Sequence, residues 1–192
     1  MAFVVGCVTF AYSLRFGGSH GVSRRSIYLG DLGFMLSFNF ALVLCGMLIS
    51  FVSSFGAIPD VAIFRYLYTG WAYIETGLPA LIAQFFWELS VALACSSAGY
   101  FMGGAFYRLG KVGKIVLAAG TPITLFVLVP LVLIVLPSDV QISLALLANR
   151  VHDWFTSSPF TGIALLLVAS ALFCFLGWLT VRRAPVHPAS TL

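Results

Sequence analysis

Four long runs of apolar residues constrain this chain more than any other feature. They cover residues 32–57, 79–107, 115–136 and 159–181. Each run reaches the length of about 20 residues that a helix needs to cross the hydrocarbon core of a bilayer. The runs are continuous rather than alternating, which argues against a β-barrel, and a backbone in lipid must satisfy its hydrogen bonds internally. The sequence therefore predicts an all-α, polytopic membrane helix bundle with four full transmembrane helices.

Composition points to the same class of protein. The 192 residues are 61% hydrophobic and 8% charged, and the 18 phenylalanines outnumber the ten lysines and arginines. A water-soluble domain carries about 25% charged residues, so this chain has too few polar groups to cover a soluble surface. The same figures exclude disordered, collagen-like, coiled-coil and disulfide-stapled secreted proteins. Basic side chains interleaved with aromatic ones, as in nucleic-acid-binding proteins, are absent from the sequence, so no nucleic-acid partner is expected.

The charges between the runs predict the orientation. Eight basic residues fall on one side and two on the other: Arg15, Arg24, Arg25, Arg108, Lys111, Lys114, Arg182 and Arg183, against Arg65 and Arg150. The positive-inside rule makes the first side cytoplasmic. This alternation requires the short apolar run 2–14 to cross as well, as the cytoplasmic end of a helix whose beginning is missing. We expect one transmembrane domain over 1–183 in the plasma membrane and a disordered, cytoplasmic C-terminal tail over 184–192.

Two connections on the outer side are more than simple turns. Residues 61–77 are rich in aromatic side chains, which is typical of the headgroup level of a membrane. Residues 139–155 place Val140, Leu147 and Trp154 on one apolar stripe, and the charged side chains fall away from it. This pattern predicts an amphipathic helix at the outer face of the membrane or against the bundle.

The sequence contains no arrangement of residues suited to catalysis or metal binding. The Gly-Lys pairs at 110–111 and 113–114 lack the Ser or Thr of a phosphate-binding P-loop. His20, His152 and His187 all fall outside the predicted spans, so neither an intramembrane Ser–His pair nor a metal cluster is expected. We therefore predict no catalytic residue, no metal site and no cofactor in this chain. Transport or a scaffold role is favoured over an enzyme.

Glu88 is the only carboxylate that these boundaries place well inside a span. A charge at membrane depth is costly and indicates a proton relay, a substrate contact or an interhelical partner, with a structural hydrogen bond as the alternative. Gln84 lies one turn earlier on the same helix face. Asn39, in the first full span, is a candidate partner, and an ordinary interhelical hydrogen bond is the other interpretation.

The helix that carries Glu88 also has a stripe of small residues. Ala92, Ser96, Gly99 and Gly103 follow one another at spacings of four, three and four. Small side chains let helix backbones approach closely, so we expect this face to pack on another helix.

The segment before the first full span is the most informative part of the chain. It contains Gly21, Val22, Ser23, Arg24 and Arg25. Ser23 is the predicted N-cap of a helix that runs into the span. The two arginines stand in the first turn of this helix, where the macrodipole disfavours positive charge. They are interpreted either as positive-inside anchors or as residues that dock another protein.

These residues, followed by an aromatic, a leucine and Gly30, resemble the first cytoplasmic loop of ABC-2 type exporter permeases. Residues 99–111 are similar to the end of the family's fourth helix and its short basic turn, and residues 178–185 are similar to the end of its last span. The amphipathic helix over 139–155 resembles the external helices of this fold. The resemblance covers nearly the whole chain.

The resemblance implies a permease that pairs with a second transmembrane subunit, identical or related, within membrane lipid. Each subunit would dock a separate ABC ATPase, which would hold ATP and Mg²⁺. The implied docking residues are Gly21, Val22, Ser23, Arg24, Arg25 and Tyr28, in a coupling helix. An apolar, phenylalanine-rich bundle suits an amphipathic or lipid-like substrate, a drug or a peptide.

The chain departs from the family in one respect, and two other functions stay open. The family has six spans and begins with an amphipathic helix and a first full crossing, both of which are missing here.

One alternative is the substrate-capturing membrane subunit of a vitamin importer, for which an outward-facing polar pocket is expected. The other is an accessory membrane subunit without a transport function. Arg24, Arg25 and the basic turn at 108–114 favour direct contact with an ATPase.

Overall fold

The computed structural model describes residues 1–53, 63–68 and 77–182, and within these ranges every regular element is a helix. The elements are α1 (Ala2–Ser19), α2 (Arg24–Ser53), α3 (Ile63–Leu67), α4 (Leu78–Arg108), α5 (Lys111–Ile123), a π-helical turn (Thr124–Leu128), α6 (Val129–Val135), α7 (Ser138–Ser157) and α8 (Pro159–Arg182). The predicted all-α class is confirmed for this part of the chain. The predicted tail over 184–192 lies outside the described residues.

Four of these helices are long and apolar enough to cross a membrane. Helices α1, α2, α4 and α8 have mean hydropathies of 1.2, 2.2, 1.6 and 2.4 over their most apolar windows. Three of them match the predicted runs at 32–57, 79–107 and 159–181. Helices of this length and hydropathy are those of a membrane protein.

Helix α1 is longer than the predicted run over 2–14. It continues to Ser19. The charge of Arg15 is compatible with this longer helix, because the side chain is exposed and stays outside the packed face. The chain then turns at Gly21, whose φ of 69° lies in the left-handed region that favours glycine. Ser23 Oγ accepts a hydrogen bond from the Ser26 N–H at 3.2 Å, which confirms Ser23 as the N-cap of α2. Helices α1 and α2 thus form a tight antiparallel hairpin.

The predicted span over 115–136 is helical but divided. Helix α5, the π-helical turn and α6 follow one another from Lys111 to Val135. Pro130 has no N–H to donate to the carbonyl four residues earlier, and the wider π-helical turn that precedes it accommodates this loss. The segment is therefore not among the four long helices, and Phe126–Val135 is a shorter apolar helix.

Helix α4 lies at the centre of the bundle, with its main contacts to α1, α8 and α2. It runs parallel to α1 in direct backbone contact. A Cβ atom at Gly99 would collide with the Phe3 carbonyl, and one at Gly103 would lie 2.6 Å from the Cys7 oxygen. Helix α8 also runs parallel to α4, and the ring of Tyr100 fills the space that Gly177 leaves open.

This arrangement gathers one set of helix ends, which we call the basic end. It consists of the C-terminal ends of α1, α4 and α8 and the N-terminal end of α2. Arg24 Nη1 donates a 2.6 Å hydrogen bond to the Arg182 carbonyl, where α8 ends. A cation beside the last carbonyls of a helix is favourable to the macrodipole, and this contact offsets the unfavourable place of Arg24 in the first turn of α2.

Helices α3 and α7 meet at the opposite end of the bundle. Phe64 and Tyr68 are buried against Trp87 of α4, with ring centroids 5.9 and 6.1 Å from the indole. Burial raises the pKa of Tyr68, so its hydroxyl stays protonated at neutral pH and donates a 3.1 Å hydrogen bond to the Phe155 carbonyl. These two aromatic side chains therefore pack on protein, and residues 61–62 and 69–76 of the predicted aromatic segment lie outside the described ranges.

Helix α7 contains the whole of the amphipathic helix predicted over 139–155. Part of its apolar stripe, including Leu144, Leu147 and Val151, faces a groove of about 560 Å³ that Leu165 of α8 also lines. The helix thus lies beside α8, and none of its side chains is buried in the described structure.

Candidate functional site

Asp31 is the most deeply buried carboxylate among the described residues. Helix α2 begins at Arg24, so Asp31 lies about two turns, or about 10 Å, inside the helix. The side chain is only 4% exposed, because α1 and α4 pack over this part of α2. A carboxylate at this depth in an apolar bundle is costly unless other groups satisfy it, and such residues are candidates for function.

A tyrosine hydroxyl satisfies part of this carboxylate. Tyr100 of α4, which is fully buried, donates a 2.8 Å hydrogen bond to Asp31 Oδ2. The Ser13 side chain of α1 lies close to the same carboxylate. The Tyr100 ring is held in place by Phe10, at a centroid distance of 5.0 Å in edge-to-face geometry. We call Ser13, Asp31 and Tyr100 the Asp31 network; it joins three helices at one level near the basic end.

A second polar contact, close to the Asp31 network, joins α2 to α8. Tyr28 donates a 2.9 Å hydrogen bond to the carbonyl of Cys174, and its ring packs against Trp178 at 5.1 Å. The Tyr28 and Tyr100 rings are 6.2 Å apart. Helix α2 is therefore tied to α4 through Asp31 and to α8 through Tyr28.

The Asp31 network forms one wall of a groove between α1 and α2. The groove has a volume of about 600 Å³ and is lined by Val4, Val5, Val8, Thr9, Tyr12, Ser13, Gly30, Asp31 and Phe34. Its walls are mainly apolar, and Asp31 carries the one carboxylate among these lining residues. A pocket of this size with few polar groups is typical of a small-molecule site.

Sequence reasoning missed Asp31 because it placed the residue just outside the first predicted span. A charged residue at the edge of an apolar run is usually a solvated flank. One sequence signal could have identified Asp31. The N-cap at Ser23 places Asp31 about two turns inside a helix, directly before the apolar run that begins at residue 32. Glu88 stays a candidate, and Asp31 is a second carboxylate within a long apolar helix and the more deeply buried of the two.

Glu88 and Gln84 contact each other on α4. Gln84 Nε2 donates a 2.9 Å hydrogen bond to Glu88 Oε1, as their spacing on one helix face predicts. Gln84 is buried and Glu88 is half-buried. Both lie in the half of α4 remote from the basic end, so they are separate from the Asp31 network.

Asn39 contacts Ser96 rather than Glu88. Its Nδ2 atom donates to Ser96 Oγ at 2.7 Å and to the Met35 carbonyl at 2.8 Å, and the side chain is fully buried. This is the interhelical hydrogen bond that the sequence analysis gave as the second interpretation. It fixes α2 against α4 about two helical turns from Asp31, on the side away from the basic end.

The small-residue stripe of α4 packs on α1. Ser96 and Gly99 lie where Gly6 and Phe3 of α1 approach the α4 backbone, and Gly103 lies against Cys7 one turn further along. Any side chain at Gly99 or Gly103 would separate the two helices. The stripe is thus an internal packing surface of this chain.

The residues assigned to ATPase docking divide into two groups. Gly21, Val22, Ser23, Arg24 and Arg25 are exposed at the α1–α2 hairpin, and Arg24 also donates to the Arg182 carbonyl. Tyr28 is half-buried, and its hydroxyl donates to the Cys174 carbonyl of α8. The segment is also not a separate coupling helix, because residues from Arg24 onward form the first turns of α2.

The search for metal ligands covers the described residues, and the comparisons cover the whole chain. Across residues 1–53, 63–68 and 77–182, no cluster of three or more His, Cys, Asp or Glu side chains could hold a metal ion. Comparison of the chain with protein families, curated proteins and solved structures finds no match.

Proposed function

We propose that this chain is the transmembrane permease subunit of an ATP-driven exporter of the ABC-2 type, energised by a separate ATPase that docks on the basic end. The observation that carries this proposal is the α1–α2 hairpin, which presents exposed Val22 and Arg25 beyond the helix bundle. The α4–α5 turn presents Arg108 and Lys114 at the same end. The basic end then lies in the cytoplasm of a cell whose plasma membrane holds the protein.

Charge favours an acidic partner surface at this end. Arg15, Arg25, Arg108 and Lys114 are exposed there, whereas the acidic residue at this level, Asp31, is buried. Complementary charge speeds association and selects the correct partner. An acidic groove on the ATPase would match this pattern.

The packing supports mechanical coupling between the hairpin and the bundle. Gly17 of α1 packs against Ile27 of α2, and the Val22 N–H donates to the Gly17 carbonyl at 2.9 Å, so the hairpin is short and braced. Helix α1 is in turn in backbone contact with α4 at Gly99 and Gly103. A push on the hairpin would therefore move these helices together, as in rigid-body rocking about an interface.

The segment that contains α6 supports a second transmembrane subunit. Every side chain from 126 to 135 is exposed. An apolar segment that packs so little within its own chain must be covered by lipid or by another helix. We assign this surface to the second permease, identical or related, with membrane lipid over the remainder.

ATP and Mg²⁺ belong to the partner in this proposal, because the sequence lacks a P-loop. The substrate class remains amphipathic or lipid-like, a drug or a peptide. The importer alternative calls for an outward-facing polar pocket, whereas the groove between α1 and α2 is mainly apolar and holds its carboxylate at the end nearest the basic end. The groove thus favours the exporter over the importer.

Charge reversal at Arg25 tests the docking surface. Arg24 is less suitable, because its bond to the Arg182 carbonyl would be lost together with any docking contact. Arg25→Glu should lower the amount of ATPase that co-purifies with the tagged chain by about tenfold or more, because like charges would oppose each other at the interface. Arg150→Glu, at an exposed position of α7, is the matched control and should leave recovery unchanged. Equal recovery with both variants would refute docking at this hairpin.

A further inference from the structure

The groove between α1 and α2 combines an apolar surface with a buried acidic group. Val4, Val8 and Tyr12 line it and remain 58%, 61% and 67% exposed, so the groove opens sideways, toward the surrounding lipid. Asp31 lies in its wall at the end nearest the basic end. A ligand in the membrane could thus reach the carboxylate without leaving the bilayer.

The partners of Asp31 leave room for such a ligand. An ionised carboxylate offers about four acceptor positions, and the Tyr100 hydroxyl is the side-chain donor that occupies one of them. Among the described residues no ion pair involves Asp31; of the nearby arginines, Arg24 donates to the end of α8 and Arg15 is exposed. A buried carboxylate is stable when a cation is paired with it, and none of the side chains that the structure describes supplies one.

We propose that this groove binds a lipophilic amine. The ammonium group donates hydrogen bonds to Asp31 beside Ser13, and the hydrocarbon part lies along Val4, Val8 and Phe34. The carboxylate selects a cation over an anionic lipid or a neutral hydrocarbon of the same length. The volume of about 600 Å³ lies within the usual range for small-molecule sites. The inference concerns this chain alone and stands whether or not an ATPase docks on it.

Equilibrium binding of radiolabelled dodecylamine tests the proposal. The purified chain is placed in nanodiscs of zwitterionic phosphatidylcholine, empty nanodiscs give the partition background, and unlabelled dodecylamine defines the displaceable fraction. We expect saturable binding at one site per chain. Dodecanol, which has the same chain and no charge, should fail to compete. Non-saturable uptake, or equal competition by dodecanol, would overturn the proposal.

Two matched variants test whether binding depends on the Asp31 carboxylate in particular or on any acidic side chain of the bundle. Asp31→Asn keeps the shape of the side chain and an acceptor for Tyr100, and it should weaken binding by about tenfold or more, because a charge-assisted hydrogen bond is lost. Glu88→Gln removes the other intramembrane acid, which does not line the groove, and should leave binding unchanged. Equal loss in both variants, or no loss in Asp31→Asn, would contradict a site at Asp31.

A third variant keeps the test valid if Asp31→Asn folds poorly. A Cβ atom at Gly30 meets nothing within 4 Å, and this glycine lines the groove. Gly30→Leu should therefore preserve the fold and partly fill the groove, with a severalfold loss of dodecylamine binding. Full binding by a folded Gly30→Leu protein would place the ligand elsewhere.

Discussion

Tyr100 of α4 donates a 2.8 Å hydrogen bond to Asp31 Oδ2 of α2, and both side chains are almost completely buried. The two residues are 69 positions apart in the sequence, so the hydrogen bond joins two helices that are distant along the chain. Its geometry depends on α1 as well, because Phe10 packs against the tyrosine ring and Ser13 against the acid. The bond is therefore both a structural tie and one wall of the groove.

Removal of the Tyr100 hydroxyl should destabilise the bundle. Tyr100→Phe leaves the ring in place and deprives the buried carboxylate of a donor, so the free energy of unfolding in mixed micelles should fall by about 1–3 kcal/mol. Tyr12→Phe changes a hydroxyl on an exposed ring and should shift it by less than about 0.5 kcal/mol. An equally small effect at Tyr100 would show that the bond contributes little.

The backbone contact between α1 and α4 predicts a strong dependence on glycine. In Gly103→Ala the new Cβ atom would lie 2.6 Å from the Cys7 oxygen, so the helices must separate. Overpacking of this kind lowers the free energy of unfolding by about 1–3 kcal/mol. Gly33→Ala, where a Cβ atom meets nothing within 4 Å, makes the same change in α2 and should be neutral or stabilising by up to about 1 kcal/mol. Denaturant titration of both variants gives the comparison, and equal values would contradict the close approach.

The Asn39–Ser96 hydrogen bond predicts coupling between α2 and α4. A double-mutant cycle of Asn39→Ala and Ser96→Ala should give a coupling energy of about 0.6 kcal/mol and at most about 1.7 kcal/mol, the range found for hydrogen bonds between membrane helices. A cycle of Asn39→Ala with Ser37→Ala supplies the control, because Ser37 is exposed and bonds to its own helix. Additive effects at Asn39 and Ser96 would mean that the bond does not form in the membrane.

The orientation of the bundle predicts which positions a thiol reagent can reach. In a variant without the four native cysteines, Asn149→Cys on exposed α7 should react with an impermeant maleimide added outside intact cells. Gly110→Cys, in the turn at the basic end, should react only after permeabilisation. The reverse pattern would place the basic end outside and exclude ATPase docking there.

The sequence predicted the helices well because burial in lipid requires long apolar runs, and α2, α4 and α8 match three of those runs. It missed Asp31 because only the packing of α1 and α4 over α2 turns a residue at the edge of a run into a buried one. The contact between Tyr28 and α8 was missed for a similar reason. Its hydroxyl finds the Cys174 carbonyl, which is far away in sequence and cannot be anticipated from local pattern.

Affinity purification of the tagged chain in mild detergent, followed by quantitative mass spectrometry, tests the proposed function most directly. The exporter account predicts a P-loop ATPase at one copy per transmembrane subunit, together with a second permease, identical or related. Recovery of an ATPase only through a separate large membrane subunit would contradict the account in favour of an importer. Absence of any ATPase would contradict both transport functions and leave an accessory membrane protein.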